Sequence, residues 1–426
     1  MKISVVIATR DRAELLKKTL QSLTNQGFPS RDFEILVCNH GSTDHTLDVC
    51  QSFEAMLNLR VIQVVYERYS IQRPKNEGIY QANNELLLIL DCGIICPPQF
   101  LEAHANAHKN KQRAFAAGPV YGIECDEEDD FWRALNPSAC PTSFTPTQIL
   151  TDIRLNMISN ARRAPWLLCW GCNFSAPRSD LINIGAYDES FVGWGWDDTD
   201  VAIRLHRAGL SFLFPLSAWC FHYPHPRRPF AERAAQNLQN WIRTYKKYPI
   251  PELELEEASG YQDYDLNIQS IENLLQLHEP EIRSIRSYLE ENRFPNDGKT
   301  LFWGFRDDLD AASNLPVISP VGKVSRGNSF YSFGFRTSFD DGEFDQIIMG
   351  SYWQFLTHSL SSGRRRALYY ILKESCRVGK RVILEELASV SAEAFSILLA
   401  ERAQLEQEGI SRDTFILRGR TALAQT

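Results

Sequence analysis

An α/β fold with two domains is what the sequence predicts, and three observations support this prediction. The chain has 426 residues, which is more than one hydrophobic core usually supports. Short β-branched, apolar runs alternate with segments of helical periodicity along its first part, as in sheets whose strands are joined by helices. Its 44% apolar and 23% charged residues are ordinary values for a folded globular protein.

The first predicted domain covers residues 1–250 and begins as a regular alternation of strands and helices. The β-branched and apolar runs predict strands at 3–8, 33–38, 59–66, 86–90 and 114–121. Apolar residues at helical spacing predict helices between them, at 12–23, 46–53, 74–83 and 97–108. The strands are almost continuously apolar, which indicates a buried, mostly parallel sheet with helices on both faces.

Polar loops follow three of the predicted strands, at 8–11, 39–44 and 91–93. In parallel sheets, ligands bind beyond the carboxyl ends of the strands, where such loops meet. We therefore expect these three loops to line one crevice.

A second α/β domain is predicted for residues 268–426, after a linker at 251–267 that mixes Pro, Gly and Glu without apolar periodicity. Its helix at 268–289 is followed by candidate strands at 300–304, 344–349 and 381–384. This order resembles the later half of a Rossmann-type methyltransferase. The first strand is followed by a single glycine, Gly304, which does not allow the close backbone approach that a nucleotide-like cofactor needs. We therefore favour a degenerate domain, for scaffolding or acceptor recognition, over an active methyltransferase.

Charge and hydropathy exclude several classes of protein. The formal net charge of -8 gives no basic footprint for nucleic acid. The apolar run at the start is too short for a signal peptide, and no stretch reaches the roughly 18 to 20 apolar residues of a transmembrane segment. A cytoplasmic enzyme is the simplest interpretation. The pair Cys169 and Cys172 forms a C-x-x-C sequence, but we favour its place in another motif over a redox role.

The strand-end segments carry the first recognisable motif. They read Ala8-Thr9-Arg10, then Asn39-His40-Gly41-Ser42-Thr43-Asp44, then Leu90-Asp91-Cys92-Gly93. Over about residues 1 to 230, this pattern resembles the inverting family 2 glycosyltransferases of GT-A fold, and the chain looks like a bacterial-type nucleotide-sugar enzyme. The resemblance implies a UDP-sugar donor and a donor site that matches these positions: Ala8, Thr9, Arg10, Asn39, Ser42, Arg73, Asn76, Asp91, Cys92 and Gly93.

Two departures from the family pattern concern the base and the metal. An acid usually stands where this chain has Asn39, although an amide oxygen still accepts the N3-H of uracil. The D-x-D motif reads Asp91-Cys92-Gly93, so the last carboxylate is missing. The resemblance implies a divalent cation, Mn²⁺ or Mg²⁺, with Asp91 and His222 as ligands. Hard cations prefer oxygen ligands, and the missing carboxylate removes one such ligand from the site. Whether the enzyme depends on a metal therefore stays open.

The second motif extends over about 30 residues in a fixed order. It comprises Gly171-Cys172-Asn173-Phe174, then Gly185-Ala186-Tyr187-Asp188, then Gly193-Trp194-Gly195-Trp196-Asp197-Asp198-Thr199-Asp200. This order resembles the carboxyl-terminal half of the galactosyltransferase and polypeptide N-acetylgalactosaminyltransferase catalytic domain. By that resemblance, Asp198 is the general base, Asp197 contacts the acceptor and Trp194 lies under the sugar.

Chemistry and helix structure give two interpretations of these acids. A base among neighbouring carboxylates in a Trp-lined loop has the raised proton affinity that proton abstraction requires. Alternatively, Asp197, Asp198 and Asp200 complement the dipole of a helix that begins near Val201. We favour catalysis, because capping does not require the glycines and tryptophans around the acids.

The remaining candidates lie in the same region. Gly195 and Arg227 complete the donor residues together with Trp194, and the acceptor residues are Trp194, Trp196 and Asp197. Guanidinium groups at Arg227 and Arg228 match phosphate oxygens, although a solvated basic turn is the alternative. A stacking surface for sugar rings is predicted from Trp166, Trp170, Trp194, Trp196 and Trp219.

The sequence as a whole predicts an inverting glycosyltransferase that moves a hexose or N-acetylhexosamine from a UDP-sugar to a glycan or peptide acceptor. Two alternatives to this function stay open. In the first, the protein is bifunctional, with a methyltransferase in its tail. In the second, it is a catalytically inactive scaffold that binds sugar nucleotides.

Overall fold

The computed structural model describes residues 1–65, 70–109, 113–123, 125, 151–158, 163–254, 264–292, 299–309, 315–321, 329–357, 367–385, 390–411 and 414–417. The chain divides into two compact units. The first comprises Met1–Ser159 and Ala164–Thr244, and the second comprises Asn160–Arg163 and Tyr245–Thr426. In the described parts of the chain, no helix is both long and apolar enough to cross a membrane.

A seven-stranded mixed sheet forms the centre of the first unit, with the strand order β3-β2-β1-β4-β8-β6-β9. Its strands are β1 (Ile3–Thr9), β2 (Phe33–Asn39), β3 (Leu59–Gln63), β4 (Leu86–Asp91), β6 (Ala114–Ala117), β8 (Asn173–Pro177) and β9 (Ser211–Leu213). The first four are parallel to one another, whereas β8 is antiparallel to both β4 and β6. The predicted α/β class with a mostly parallel sheet is therefore confirmed.

Helices connect and flank these strands. They are α1 (Ala13–Thr24), α2 (Thr46–Phe53), α3 (Gln72–Gln81), α4 (Phe100–Lys109), α5 (Arg178–Asn183), α6 (Asp197–Arg207) and α7 (Phe230–Lys247). Four of them, α1 to α4, were predicted with bounds that differ by three residues or fewer at either end. The buried side chains of β1, which include Val5, Val6 and Ile7, show why the apolar pattern of the sequence identified this strand.

The predicted strand at 114–121 is two strands in the structure. It divides into β6 and β7 (Val120–Tyr121) at Gly118 and Pro119. Proline has no N–H to donate to a ladder, and a Cβ on Gly118 would lie 1.8 Å from the carbonyl oxygen of Ala218. Strand β7 instead joins β5 (Ile94–Ile95) and β10 (Cys220–His222) in a small sheet, which brings His222 next to the end of β4.

The second unit contains a six-stranded sheet that is parallel throughout, with the order β13-β12-β11-β14-β15-β16. Its strands are β11 (Thr300–Trp303), β12 (Val317–Ser319), β13 (Ser329–Tyr331), β14 (Gln346–Met349), β15 (Val382–Leu384) and β16 (Phe415–Leu417). Its helices are α8 (Tyr264–Leu277), α9 (Ile285–Glu291), α10 (Ala367–Val378) and α11 (Ala392–Gln407). This strand order is that of a Rossmann-type sheet.

The described part of the predicted linker is folded. Residues 251–254 are helical, and Leu253 and Glu254 are fully buried. The carboxylate of Glu254 accepts a hydrogen bond of 3.0 Å from the backbone N–H of Gly334, and burial raises its pKa to about 8. The acidic composition of this segment therefore misled the sequence interpretation, because one of its acids is an internal side chain of the second unit.

Candidate active site

The loops after β1 and β2 are joined by hydrogen bonds, as expected for loops that share a crevice. The backbone N–H of Asp11 donates to Oγ of Ser42 at 2.9 Å. In return, Oδ1 of Asp11 accepts from the backbone N–H of Thr43 at 2.6 Å, and this hydrogen bond is the largest cause that lowers the pKa of Asp11. Arg10 lies exposed in this loop, with its Nε 3.7 Å from the Asp11 carboxylate.

The loop after β4 meets the same crevice, but two of its predicted donor residues face inward. The hydroxyl of Thr9 donates to Sγ of Cys92 at 3.7 Å, and the backbone N–H of Gly93 donates to the hydroxyl of Thr19 at 2.9 Å. Cys92 is buried, and this burial raises its pKa to about 12. Cys92 and Gly93 therefore fix the loop against α1 and leave Asp91 as its chemically active member.

Asn39 was predicted to contact the base, and the structure uses its amide differently. Its Nδ2 donates to Oε1 of Gln63 at 3.0 Å. Its Oδ1 accepts from the backbone N–H of Ser42 at 3.1 Å. The side chain is buried and stabilises the turn after β2, and its contact with a base stays a prediction.

Arg73 and Asn76 were also predicted to support the nucleoside, but both contact the segment at 187–189. Nδ2 of Asn76 donates to the backbone carbonyl of Tyr187 at 3.0 Å and to Glu189 at 2.9 Å, and its Oδ1 accepts from the N–H of Tyr187 at 2.8 Å. Arg73 donates to Glu189 at 3.3 Å. These residues therefore hold α3 against the segment that carries Tyr187.

Asp198 lies in a cluster whose cation was not predicted. Nζ of Lys75 is 3.2 Å from Oδ1 of Asp198, and the phenol of Tyr187 donates to the same oxygen at 2.9 Å. The Lys75 side chain is 4% exposed and the Asp198 side chain is 26% exposed. The buried side of the carboxylate is thus neutralised, while the group itself is still accessible to solvent.

Asp197 is the second carboxylate of the cluster. Its Oδ2 accepts from Nε2 of Gln72 at 3.0 Å, and the side chain is buried. Burial, together with the neighbouring charge of Asp198, raises the pKa of Asp197 to about 7, against the opposing effect of Lys75. Two adjacent acids with different environments are a common basis for proton transfer near neutral pH.

Asp91 belongs to the same electrostatic group, although it comes from the other half of the unit. Burial raises its pKa, Lys75 opposes that shift, and the charge of Asp198 adds to it. Burial alone would lower the pKa of Lys75, but Asp198, Asp197 and Asp91 outweigh it and raise the pKa above its ordinary value. The end of β4 and the start of α6 therefore share one charged cluster.

Helix α6 begins at Asp197 rather than near Val201, and Asp197, Asp198 and Asp200 all lie in its first turn, as the helix-dipole alternative expects. The residue that caps α6 is Trp196, which has a left-handed backbone (φ 69°) and makes no side-chain capping hydrogen bond. Asp200 is buried and pairs with Arg204 at 2.7 Å, one turn along the helix. Asp197 and Asp198 also bond to side chains outside the helix, namely Gln72 for Asp197 and Lys75 and Tyr187 for Asp198, which the dipole alternative does not require.

The loop before α6 presents one tryptophan and buries the other. Trp194 is 50% exposed, and its backbone N–H donates to Oε1 of Gln236 on α7 at 3.0 Å. A Cβ on Gly195, whose φ is 97°, would lie 2.3 Å from Oδ1 of Asn237, so this position requires glycine. Trp196, predicted to contact the acceptor, is buried and serves as the helix cap.

Three further tryptophans of the predicted stacking surface pack inside the unit. Trp166 lies 5.2 Å from the ring of His206, and Trp219 lies 5.2 Å from the ring of Phe221. The guanidinium of Arg154 stacks on Trp170 at 3.9 Å. Trp194 is therefore the member of this set with a broadly exposed ring.

The C-x-x-C pair is also internal. Cys169 and Cys172 are buried, and this burial raises the pKa of both thiols. Thiols that stay protonated are poor redox nucleophiles, so the motif interpretation of this segment holds over the redox interpretation.

A basic group, Arg12 with the segment at 223–228, acts on Asp91, since the charges of Arg12 and His225 oppose the burial that raises the pKa of that carboxyl. The guanidinium of Arg12 donates to Nε2 of His225 at 3.2 Å, and Nδ1 of His225 donates to the carbonyl of Tyr223 at 3.2 Å. Arg227, predicted to bind the diphosphate, donates to the carbonyl of Ile123. Arg228 points elsewhere and pairs with Glu232 at 2.7 Å.

His222 was predicted to be a metal ligand, and its side chain is a buried, neutral imidazole. It is buried, and burial, followed by the charges of His225 and Arg227, lowers its pKa to about 3, which keeps the ring neutral. Among the residues that the structure describes, no partner forms a hydrogen bond with its Nδ1. The same described residues contain no group of three or more His, Cys, Asp or Glu side chains placed to hold a metal ion.

Comparison with known families identifies the unit that contains this cluster. Residues 4–179, which include the strand-end loops, Lys75 and Asp91, match the family described as glycosyl transferase family 2. The first unit belongs to glycosyl transferase family 2. Residues 154–226 of this glycosyltransferase unit match a second family, described as the N-terminal domain of galactosyltransferase, and they contain Tyr187, Asp197 and Asp198. The predicted membership of family 2 is confirmed.

Individual relatives match this chain to different extents. Validoxylamine A glucosyltransferase of Streptomyces hygroscopicus subsp. jinggangensis (strain 5008) is 31% identical over 264 residues, which are 59% of this chain and 62% of that protein. The chain thus spans less than two thirds of this relative. Poly(ribitol-phosphate) beta-N-acetylglucosaminyltransferase TarS of Staphylococcus aureus (strain Mu50 / ATCC 700699) is 34% identical over 91 residues, which are 21% of this chain and 16% of TarS. A crystal structure of S. aureus TarS 1-349 in complex with UDP-GlcNAc has a TM-score of 0.43 at 18% identity, covering 63% of this chain and 70% of that one.

Proposed function

We propose that this protein transfers a hexose or an N-acetylhexosamine from a UDP-sugar to an acceptor hydroxyl with inversion at the anomeric carbon, and that Asp198 is the general base. One observation carries the proposal. The buried ammonium of Lys75 pairs with Asp198 at 3.2 Å, and its charge also acts on Asp91. This ion pair joins a residue of the family 2 match to a residue of the second match, which supports one site built from both motifs.

In the proposed reaction, Asp198 takes the proton of the acceptor hydroxyl as its oxygen attacks the anomeric carbon. The bond from that carbon to the diphosphate oxygen breaks, and UDP departs with the electron pair. Both hydrogen bonds that Asp198 accepts from described side chains end on Oδ1, which leaves Oδ2 for the acceptor. Correct placement of such a base typically accelerates a reaction about 10²- to 10⁴-fold.

The names of the relatives support the donor class. One is called a glucosyltransferase and another a beta-N-acetylglucosaminyltransferase, which are the hexose and N-acetylhexosamine classes that the motifs predict. Their acceptors, as named, differ from each other, so the acceptor of this chain is proposed only as a hydroxyl of a glycan or peptide. Trp194, with its exposed ring, would stack against a sugar at this site.

As ligands of a divalent cation we propose Asp91 and His222. A neutral imidazole whose buried Nδ1 has no hydrogen-bond partner in the described part of the chain and a carboxylate are nitrogen and oxygen ligands of the kind that Mn²⁺ accepts. When bound, the ion would offset the negative charge of the leaving diphosphate. Arg12, which contacts His225, would add a fixed positive charge on the same side of the crevice.

For the second unit we favour scaffolding or acceptor recognition over methyl transfer. The crevice that a Rossmann-type sheet offers a cofactor lies between the carboxyl ends of its central strands, here β11 and β14. A Cβ on Gly304, after β11, would lie 2.0 Å from the ring of Tyr352, and the indole of Trp303 donates to the Tyr352 hydroxyl at 2.9 Å. These aromatic side chains pack against the loop after β11, where a Rossmann-type domain would bind its cofactor.

The Asp198→Asn variant tests the proposed function. UDP release from UDP-glucose and UDP-N-acetylglucosamine, with a panel of glycan and peptide acceptors, is measured for both proteins. We expect the variant to lose turnover by at least about 10²-fold, while its affinity for UDP in isothermal titration stays close to that of the parent. Turnover near the parent level would remove Asp198 as the base and the proposed function with it.

A further inference from the structure

Lys75 is an unusual residue for the inside of a protein. It lies in the first turn of α3 and is 4% exposed, whereas Arg73, two positions earlier, is 38% exposed in its side chain. Lysine is almost never fully buried unless its charge is paired. The charge of this buried ammonium must therefore be balanced by neighbouring groups.

The contacts of Lys75 are with Asp198 and Tyr187. Its Nζ pairs with Oδ1 of Asp198 at 3.2 Å and lies 4.7 Å from the centre of the Tyr187 ring, a distance at which a cation is attracted to an aromatic face. The charges of Asp197 and Asp91 also act on it. Asp198 is thus in contact with the ammonium, whereas Asp197 and Asp91 act on it through their charges.

The same face of α3 holds the other members of the cluster. Residues three and four positions apart lie together on a helix, so Gln72, Lys75 and Asn76 share one face. Gln72 donates to Asp197 at 3.0 Å, and Asn76 holds the backbone of Tyr187 on both sides. This face therefore fixes the start of α6 and the phenol that contacts Asp198.

We propose that Lys75 is a positioning residue for the transfer reaction. It holds the Asp198 carboxylate by Oδ1, together with the Tyr187 hydroxyl, so that Oδ2 faces the acceptor. This inference rests on the proposed function, in which Asp198 is the base. Removal of the ammonium would leave the Asp198 carboxylate without its buried counter-charge and release the base from its orientation.

The test compares Lys75→Met with Lys75→Arg. We expect K75M to lower kcat about 10- to 100-fold, because a misplaced base loses most of its effect, while the dissociation constant for UDP changes less than about threefold. The acid limb of the kcat/KM profile should move to higher pH, because carboxylates lose protons less readily without a nearby cation. K75R, which keeps the charge, should recover most of the rate and the parent pH profile.

Arg204→Met is the matched control, since it also breaks a buried ion pair, between Arg204 and Asp200 on α6. We expect R204M to lose stability and keep the parent pH profile. K75Q keeps a hydrogen-bond donor and removes only the charge, and it replaces K75M if that variant does not fold. The same shift of the acid limb is expected of it.

Two outcomes would overturn the role of Lys75. The first is a parent-like kcat and pH profile in K75M or K75Q, and the second is a loss of kcat in K75M that K75R does not relieve and that leaves the pH profile unchanged. Either result, combined with an inactive D198N variant, removes Lys75 but keeps the proposed function. Full activity in D198N removes the proposed function itself.

Discussion

Gly171 lies directly against the carboxylate that we propose as the base. A Cβ at this position would be 1.8 Å from Oδ1 and 2.5 Å from Oδ2 of Asp198. Because the carboxylate is held by Lys75 and Tyr187 on the other side, it has little room to yield. The G171A variant should therefore lose about 10²-fold in kcat, as expected when a catalytic group is displaced by about 1 Å.

The control for this prediction is Gly27→Ala. A Cβ on Gly27 would meet its nearest atom, the carbonyl oxygen of Pro98, at 3.6 Å, which is ordinary contact. G27A should retain parent kcat in the same UDP-release assay. Parent-like kcat in G171A as well would show that Asp198 is not confined as the structure indicates.

The sequence identified the acids of the site but not the cation between them. Asp91, Asp197 and Asp198 stand in motifs whose spacing carries information on its own. Lys75 follows Arg73 on a polar stretch, and only the tertiary structure decides which of two cations is buried. A signal was available in the spacing of Gln72, Lys75 and Ile79, since residues at this interval lie on one helical face and Ile79 is buried.

At the scale of elements, a polar network joins α4 to β8 inside the core. His104 contacts the hydroxyl of Ser175 and Oδ1 of Asn173, both at 2.8 Å, and His108 contacts the same hydroxyl at 2.9 Å. Burial lowers the pKa of His104 to about 3 and that of His108 to about 4. The predicted motif at 171–176 thus supplies internal hydrogen bonds beside the site.

These two histidines make the stability of the first unit depend on pH. Their pKa values are lower in the folded chain than the ordinary 6.5, so below that pH the unfolded chain binds protons that the folded chain does not. Stability is therefore present above about pH 6.5 and is lost as the pH falls. Between about pH 7.5 and about pH 5, we expect each histidine to reduce the free energy of unfolding by about 2 kcal/mol.

Urea unfolding at both pH values measures this effect. The double variant His104→Gln, His108→Gln should show a smaller pH dependence than the parent, whatever its absolute stability. His45→Gln, at an exposed residue that pairs with Glu14, should keep the pH dependence of the parent. An equal pH dependence in the double variant and the parent would assign the effect to other groups.

The regular alternation at the start of the chain was predicted well, as was the short strand β15, whereas the long helices α7 and α11 and several short strands were not predicted. Helices α1 and α2 and strands β1, β2 and β4 carry enough apolar residues to be identified from sequence. Strands β9, β10, β12 and β16 have three residues each, and their pairing depends on neighbours that are distant along the chain. The same reason explains why the position of His222, on β10, could be proposed from the motif order but not from any local pattern.

At the scale of the whole molecule, the first unit matches a glycosyltransferase family, and the second has a parallel sheet with the strand order of a Rossmann fold. Because Tyr352 packs against Gly304 at the end of β11 and bonds to Trp303, we expect no binding of S-adenosylmethionine. A thermal-shift titration of the full chain should show no stabilisation by S-adenosylmethionine and a clear stabilisation by UDP. Saturable stabilisation by S-adenosylmethionine would restore the bifunctional alternative.

The domain organisation itself was only partly readable from the sequence. A second α/β domain was predicted from three strands, and the structure has six. The unit boundary falls within α7, at Thr244 and Tyr245. It could not be predicted from the sequence, because an amphipathic helix gives no compositional sign of where one unit ends. The role of the second unit in acceptor recognition stays a prediction.

The stereochemistry of the product tests the central claim most directly. A single displacement with Asp198 as base requires the acceptor oxygen to attack the face opposite the leaving UDP. Proton NMR of the first product formed from a UDP-α-glucose donor should therefore show a β-linked sugar, with the large anomeric coupling of a trans-diaxial arrangement. An α-linked product would mean retention of configuration and would contradict the assignment of Asp198 as the base of an inverting transfer.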